Sequence, residues 1–228
     1  TYTNIEGLDD DIAKYPLFRL SPVQERRWFH RYQFLYAIPL YFFTTFNWIL
    51  FDDYLKLVTK KINTTDIREM SARDHFEFWS GKLVNLTLFF IIPIFIFGFW
   101  QALLGFFIMH AALGLSLALV FQMAHAVEEA AFPVPNEVNK IENEWALHQV
   151  ATTVNFAMRN KLISWLVGGL NFQVEHHLYP KISHIHYPQI SKIVKKTCED
   201  MNIEYNAFPS FWKALVSHFR YLKTLGVQ

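Results

Sequence analysis

Two adjacent histidines, His176 and His177, are the side chains of this sequence best suited to bind metal ions. They end the segment Gln173-Val174-Glu175-His176-His177. Successive residues of an α-helix lie about 100° apart around its axis, so adjacent imidazoles diverge to either side of one line. One short helix can therefore offer a ligand to each of two neighbouring metals. Neutral imidazole binds iron, copper, nickel and zinc, so the pair predicts a histidine-rich metal centre.

His125 is the third candidate ligand, because it lies near the end of a long uncharged run, Leu83 to Val127. An ionisable side chain at such a depth is costly, which makes a function the default interpretation. Glu128 and Glu129 follow at i+3 and i+4, where a continuing helix would place them on the same face. We therefore expect His125 to lie near the histidine pair, on the same side of the membrane.

Four other histidines are expected to have no part in this centre. His30 and His75 stand in polar, basic surroundings, and His218 lies on an amphipathic segment, so we expect all three to be solvated. His110 lies within the uncharged run. There we expect a buried neutral imidazole that is hydrogen-bonded to a neighbouring helix.

Other metal chemistries fit the sequence less well. The single cysteine, Cys198, excludes an internal disulfide framework, a thiolate zinc site and an iron–sulfur cluster. A carboxylate-bridged di-iron bundle would show Glu-x-x-His on two helices, and no histidine here has Glu three residues before it. A haem held between helices could use His110 or His125, but it would leave the adjacent pair unexplained.

The apolar residues are concentrated in runs that are long enough to cross a membrane. The run from Leu83 to Val127 is long enough for two helical crossings of about 20 residues each. Gly98 at its middle favours a tight turn. A second uncharged run, Tyr32 to Phe51, is broken by Pro39. We predict an all-α integral membrane protein with a transmembrane helical hairpin, its membrane segments lying at about 32–51, 83–100 and 102–124.

The positions of the charged residues predict an orientation. Lys and Arg occur on both flanks of the hairpin and not at its tip, so the positive-inside rule places both flanks in the cytoplasm. A full crossing by 32–51 would put the flanks on opposite sides, so we expect that run to be half-inserted. A polar, helical stretch from Glu128 to Lys161 and two amphipathic helices, Pro188–Met201 and Pro209–Leu222, are expected to form a cytoplasmic helical cap that carries the site.

The histidine pair also carries a family resemblance. The segment Gln173-Val174-Glu175-His176-His177-Leu178-Tyr179-Pro180 resembles the third histidine box of the membrane fatty-acid desaturases, and its first glutamine is similar to the front-end acyl desaturase subgroup. The flanking residues resemble that subgroup too, as does the end of the uncharged run: Asn171-Phe172, Lys181-Ile182-Ser183-His184-Ile185-His186-Tyr187-Pro188 and Phe121-Gln122-Met123-Ala124-His125. The resemblance covers essentially the whole of residues 1–228.

The family has three histidine boxes, which together bind two irons on the cytoplasmic face. This sequence contains no His-x-x-x-His and no His-x-x-His-His box, yet Thr1-Tyr2-Thr3-Asn4 resembles what directly follows the family's second box. The resemblance therefore implies the C-terminal part of a desaturase domain, which we expect to be inactive alone. A degenerate relative that binds no iron is the alternative.

Carried over residue by residue, the resemblance implies that His125, His176 and His177 are iron ligands. The asparagine that accompanies the helix-end histidine in the family is absent, because Phe121 stands there. His148 and Asn155 are expected on the intervening helix, and glutamates are expected to fix the histidine tautomers. The weaker candidates, as ligands or as residues that orient them, are Gln173, Asn155, His148, Glu128, Glu129, Glu175, His184 and His186.

Removing hydrogen atoms from an unactivated methylene pair needs a cofactor capable of one-electron oxygen chemistry. The resemblance supplies one, since it implies two non-haem Fe ions, O2 and an external electron donor of the cytochrome b5 or ferredoxin type. The substrate would be a fatty-acyl chain, carried as a CoA thioester or in a membrane lipid. The site would face the cytoplasm from a bacterial inner membrane or the endoplasmic reticulum.

Three other functions remain as alternatives. A fatty-acyl hydroxylase or conjugase would use the same scaffold, and a non-enzymatic membrane protein could bind haem or another metal through the same histidines. The net charge of +1 gives no reason to expect a nucleic-acid partner. The sequence has no glycine-rich nucleotide loop, so no bound nicotinamide or flavin is expected.

Overall fold

The computed structural model describes residues 2–9, 12, 16–62, 65–136, 141 and 143–228. Its α-helices are α1 (Gln33–Phe42), α2 (Thr44–Asn47), α3 (Asp53–Thr59), α4 (Ala72–Leu86), α5 (Ile92–Phe97), α6 (Phe99–His125), α7 (Trp145–Thr152), α8 (Lys161–Leu166), α9 (Gln173–Leu178), α10 (Tyr187–Asp200) and α11 (Phe211–Val227). Two short sheets pair β1 (Lys61–Ile62) with β2 (Thr65–Asp66) and β3 (Asn155–Phe156) with β4 (Ala207–Phe208). The chain divides into two compact units, Thr1–Ala37 with Ala118–Gln228, and Ile38–Leu117.

Two helical stretches of the described chain are long and apolar enough to cross a membrane, Ala72–Phe97 and Phe99–His125. Gly98 separates them with a φ of +91°, a backbone conformation that side-chain-bearing residues rarely adopt. The break lies within the segment where the sequence predicts a turn. The prediction of a mainly helical protein with two such helices is therefore confirmed.

A third apolar stretch is bent. Trp28–Phe42 and Thr44–Thr59 pass the same test only as a pair, and the angle between them is 60°. Pro39, one turn before the bend, has no N–H to donate to the helix. This geometry is that of a broken span or a re-entrant segment.

Gly114 allows α6 to approach the backbone of the bent segment closely. A Cβ at this position would lie 2.9 Å from the carbonyl oxygen of Tyr41 and 3.0 Å from that of Phe42. One turn earlier, Thr45 Oγ1 donates a hydrogen bond of 2.7 Å to the backbone carbonyl of His110. The absence of a side chain at Gly114 thus permits the close approach of α6 to the bend, and the hydroxyl of Thr45 stabilises it.

The imidazole of His110 is buried, as expected, but it does not make the predicted hydrogen bond. Both of its ring nitrogens lack a hydrogen-bond partner. The ring packs instead against Phe106 at 4.3 Å and Phe46 at 5.2 Å between centroids. The hydrogen bond to a neighbouring helix is made by the backbone carbonyl, because aromatic rings surround the imidazole.

Apolar clusters hold together the unit that contains the candidate ligands. One cluster gathers around the end of α6 and includes Met123, Val154 and Phe156. A second joins α7, α9 and α10 through Val150, Val174, Val194 and Cys198. The parallel pairing of β3 with β4 ties the segment after α7 to the segment before α11.

The expectation of a helix from Glu128 to Lys161 is wrong over most of that range. In its described part, the only α-helix longer than one turn is α7, and Asn155 lies on a strand rather than on the helix. The helix α6 itself ends at His125, so Glu128 and Glu129 do not continue its face. The carbonyl of His125 accepts a hydrogen bond from the Asn4 side chain.

Two histidines predicted to be solvated are fully buried. His30 accepts a hydrogen bond from the Arg27 N–H and donates one of 2.8 Å to the carbonyl of Pro16. His218 donates one of 2.7 Å to the carbonyl of Ala126. Backbone groups satisfy these imidazoles, a form of pairing that leaves no trace in local sequence. His75 is exposed, as expected.

The helix α10 agrees with its prediction in extent, and part of its apolar face is buried. It buries Tyr187, Ser191, Val194 and Cys198. Ile190 packs against the cluster that joins α7, α9 and α10, whereas Ile193 is 68% exposed. The side of α10 that faces α7 and α9 is therefore the buried one.

We predict that Gly114→Leu destabilises the protein by about 1–3 kcal/mol, because the new side chain would meet backbone atoms that cannot move aside. Thermal unfolding of the detergent-purified protein measures the effect. Gly105→Leu is the matched control, since a Cβ at Gly105 of the same helix meets nothing within 4 Å. Equal melting temperatures for the two variants would contradict the prediction.

We predict that His218 makes stability depend on pH. Burial lowers the pKa of His218 to about 4. An unfolded histidine titrates near pH 6.5, so the unfolded chain takes up the proton first, and stability falls as the pH drops from about 6.5 to about 4. The expected loss is at most about 1.4 kcal/mol per pH unit. Unfolding at pH 7.5, 6 and 5 should show a shallower dependence for His218→Asn, whereas the exposed-site control His75→Asn should match the parent.

Candidate metal centre

The histidine pair lies on α9, which is anchored by both apolar packing and a hydrogen bond. The side chain of Val174 is fully buried in the cluster that joins α7, α9 and α10. Its backbone N–H lies in the first turn, where a helix supplies no acceptor, and it donates a bond of 3.0 Å to Asn155 Oδ1. Asn155 therefore caps α9 from the neighbouring strand.

Gln149 of α7 fixes the tautomer of His177. Nδ1 of His177 lies 3.0 Å from Gln149 Oε1, an oxygen that can only accept, so Nδ1 carries the proton and Nε2 keeps its lone pair. Thr3 Oγ1 lies 3.2 Å from the same ring nitrogen. Burial, with a smaller effect from His125 and His176, lowers the pKa of His177 to about 2. The ring is therefore neutral at physiological pH, which is the form that binds metals.

His176 is oriented by a different residue. Its Nδ1 lies 3.2 Å from the hydroxyl of Tyr187 at the start of α10. Burial, followed by the proximity of His125, lowers the pKa of His176. The rings of His176 and His177 are 5.7 Å apart between centroids and nearly perpendicular, at 84°. The two imidazoles thus diverge, as their adjacency on one helix predicts.

His125 lies beside the pair at the end of the spanning helix. Its ring centroid is 5.0 Å from that of His177, and the side chain is only 3% exposed. Its Nδ1 has no hydrogen-bond partner. The structure therefore brings together the three histidines that the sequence identifies as ligands.

Two further buried side chains have polar atoms without partners. Both ring nitrogens of His148 and Nε2 of Gln173 are buried and unpaired. His148 is close enough to His177 to affect its pKa, and burial lowers the pKa of His148 itself. A buried polar atom left without a partner costs about 1–3 kcal/mol, and the position of these atoms beside His177 makes them candidate ligands.

The carboxylates of Glu175 and Glu129 bond to groups other than the imidazoles, and Glu128 takes part through its backbone N–H. Glu175 is fully buried and accepts hydrogen bonds from Asn155 and Tyr205. Burial raises the pKa of Glu175, and these two hydrogen bonds oppose the rise. Ser217 Oγ donates to Glu129 at 2.8 Å and accepts from the N–H of Glu128 at 3.1 Å. The groups at Nδ1 of the histidine pair are thus an amide and two hydroxyls rather than carboxylates.

His184 and His186 differ in their surroundings from the buried histidines described above. They form a 3₁₀ turn, His184–His186, before α10, and both are exposed. The side chain of His184 lies against Gly169, where a Cβ would come within 2.7 Å of it. Their surroundings are those of surface residues.

The first residues of the chain reach the candidate site. Asn4 Nδ2, which carries two hydrogens, lies within hydrogen-bond distance of three carbonyls, those of His125, Ala131 and Thr152, at 3.1, 3.0 and 3.2 Å. The φ of Asn4 is +57°, a conformation in which Asn is enriched. Sequence reasoning did not identify Thr3, Asn4, Gln149, Tyr187 or Tyr205, and nothing in their local sequence points to the histidines.

The donor set fits a divalent transition metal, although it is incomplete. Among the described residues, no three His, Cys, Asp or Glu side chains are arranged to hold a metal ion. His176 and His177 are held through Nδ1, which leaves Nε2 available, and His125 and His148 contribute unpaired ring nitrogens. The described residues thus bring ring nitrogens of four histidines to one region without forming a complete metal site.

We predict that Gln149→Met weakens metal binding by about 10–100-fold, because His177 loses the acceptor that fixes its tautomer while side-chain length is kept. Titration of the purified complete protein with Co(II), followed by absorbance, measures the affinity. Gln189→Met, at an exposed position on α10, is the control and should titrate as the parent does. Identical titrations for both variants would show that Gln149 has no such role.

Comparison with known proteins shows which proteins this chain is similar to. Residues 1–209 match the family described as fatty acid desaturase. The chain is 38% identical to the acyl-lipid (8-3)-desaturase of Physcomitrium patens, over 100% of this chain and 48% of that protein. It is 37% identical to the sn-1 linoleoyl-lipid 6-desaturase of Synechocystis, over 99% and 64%, and 37% identical to that of Arthrospira platensis, over 100% and 62%.

The chain thus spans between about half and two thirds of the length of these curated relatives. No solved structure matches it. The alignments extend over the whole chain, and the family match includes all three histidines that converge on α9. The resemblance carried by the third histidine box is confirmed: this chain belongs to the fatty acid desaturase family.

Proposed function

We propose that the complete protein is a front-end fatty acid desaturase, which uses O2 and externally supplied electrons to introduce a double bond into an acyl chain. The observation that carries the proposal is the convergence of three imidazoles, with ring centroids 5.0 Å apart for His125 and His177 and 5.7 Å for His176 and His177. The family match and the names of the relatives support the same reaction.

His125, His176 and His177 would hold part of a centre of two non-haem Fe ions. Such a centre supplies the one-electron oxygen chemistry that an unactivated methylene pair requires. Gln149 and Tyr187 keep the two α9 imidazoles oriented, and burial keeps them neutral. We propose that further ligands come from parts of the complete protein outside residues 1–228, since the relatives are longer and the described residues supply an incomplete set.

The end of α6 would place the site at one boundary of the membrane. Ala72–Phe97 and Phe99–His125 would be the two spans, and Trp28–Thr59 a half-inserted segment because of its 60° bend. The distribution of Lys and Arg favours the cytoplasmic side for the site, beneath a cap that includes α10 and α11. An acyl chain could then reach the imidazoles from the hydrocarbon layer, while electrons arrive from the aqueous side.

The names of the relatives favour a particular carrier for the substrate. Both kinds of relative are named as desaturases of acyl chains in lipids, so we propose a lipid-linked acyl chain rather than a CoA thioester. Acyl chains offer only apolar contacts, each buried methylene being worth about 0.8 kcal/mol, so a narrow apolar passage must select the carbon that reacts. The electron donor would be a separate or fused protein of the cytochrome b5 or ferredoxin type.

We predict that His176→Ala and His177→Ala each lower product formation by the complete protein more than about 100-fold, since even outer residues of metal sites cost about 10–100-fold. Expression in a host supplied with polyunsaturated precursor, followed by mass spectrometry of the fatty-acid methyl esters, measures the product. Iron content of the purified protein should fall in parallel. His75→Ala, at an exposed site, is the control.

Three outcomes would overturn the proposal. Unchanged product and iron in both alanine variants would remove the histidine pair from the centre. A hydroxylated or conjugated product would assign the protein to a hydroxylase or conjugase built on the same scaffold. A haem absorption band without non-haem iron would point to a haem-binding protein.

A further inference from the structure

We propose that Tyr205, Asn155 and Glu175 form a latch that sets the direction of the two imidazoles on α9. In this arrangement Tyr205 is a positioning residue for the metal centre, which it does not itself contact. The inference rests on the proposed function, since iron is the ligand whose binding the latch would tune. It adds a residue that no histidine motif contains.

The latch is a closed circuit of short hydrogen bonds. Tyr205 donates from its hydroxyl to Glu175 Oε1 at 2.7 Å, and Asn155 donates from Nδ2 to Glu175 Oε2 at 2.8 Å. The same Asn155 amide lies 2.6 Å from the Tyr205 hydroxyl, to which it donates its second hydrogen. Each of the three side chains therefore contacts the other two.

The circuit uses the hydrogen-bonding capacity of its members almost completely. Both amide hydrogens of Asn155 and the single phenolic hydrogen of Tyr205 are donated, and both oxygens of Glu175 accept. Asn155 Oδ1 accepts from the N–H of Val174. Asn155 and Glu175 are 0% exposed. A buried polar network is specific only when every member is satisfied, and this one meets that condition.

The latch grips α9 directly before the histidine pair. Two of its bonds end on consecutive residues, the backbone of Val174 and the side chain of Glu175, and His176 follows at once. His176 and His177 are attached to the same short helix, about 100° apart around its axis. A small rotation of α9 about that axis would therefore change the direction of both rings. Because Val174 and Glu175 are held in place, the backbone sets the approximate direction of both rings. The hydrogen bonds of the rings to Gln149 and Tyr187 then set their final orientation.

Tyr205 brings a third segment to the site. It lies between α10 and β4, and its ring packs with Ile203 against the cluster of Val150, Val174 and Val194. Asn155 comes from β3, which pairs with β4. Three segments distant in sequence thus meet at Glu175, and the hydroxyl of Tyr205 supplies one of the two donors to that carboxylate.

The test compares Tyr205→Phe with Tyr221→Phe in the complete, detergent-purified protein. Both changes remove one buried phenolic hydroxyl, but that of Tyr221 donates to the carbonyl of Leu20 at 2.9 Å, outside the latch. We expect iron affinity to fall about 10-fold or more in Tyr205→Phe and to stay at the parental value in Tyr221→Phe. The absorption spectrum of bound Co(II) should shift only in the first variant, because its ligand geometry changes.

A thermal measurement separates positioning from simple loss of stability. Added metal stabilises the folded state by an amount that grows with the logarithm of its affinity, so the rise in melting temperature on metal addition should shrink in Tyr205→Phe but not in Tyr221→Phe. If Tyr205→Phe cannot be purified, Glu175→Gln replaces it, since a glutamine amide has one acceptor oxygen where the carboxylate has two. The same loss of affinity is expected there.

The outcomes are distinct. Equal iron affinity, Co(II) spectra and metal-induced stabilisation in the latch and control variants would overturn the latch alone. A parental protein that binds no iron would overturn the proposed function and the latch with it. Reduced affinity in the latch variants only, beside an unchanged control, would support both.

Discussion

A neutral imidazole binds a metal only through a nitrogen that the protein has left free, and the candidate site is built around this requirement. His176 and His177 each commit Nδ1 to a neighbour and are held neutral by burial. A carboxylate at Nδ1 would favour the protonated ring more strongly than the amide of Gln149 or the hydroxyl of Tyr187 does. The buried carboxylate of the segment, Glu175, is turned away to a separate network.

The ligand side chains and the general architecture could be predicted from sequence, because both depend on local pattern. Adjacent histidines diverge on any helix, and His176 and His177 do so here at 84°. Long uncharged runs form long apolar helices, and Gly98 breaks them where a chain-bending residue is expected. The helix-end position of His125 followed from the end of the same run.

The rest of the site could not be predicted, because it depends on contacts between distant parts of the chain. Gln149 and Tyr205 resemble any polar residues of a helix or loop until the fold brings them to the histidine pair. The apolar residues of α10 likewise do not reveal which of them is buried: Val194 is 7% exposed and Ile193 is 68% exposed. His30 and His218 were predicted to be solvated, yet both are buried. Their hydrogen-bond partners are backbone carbonyls, which every residue carries and which no sequence pattern can therefore identify.

The order in which these contacts become available follows the order of synthesis. Asn4 is made before the residues from 125 to 152 whose carbonyls it contacts, so its segment can settle only after α6 has emerged. Tyr205 is translated several seconds after His125 at about 5–20 residues per second. A nascent chain halted between the two would expose its imidazoles without a fixed direction. Under the proposed function, the direction of the metal ligands would therefore be set only when the segment that carries Tyr205 joins the site.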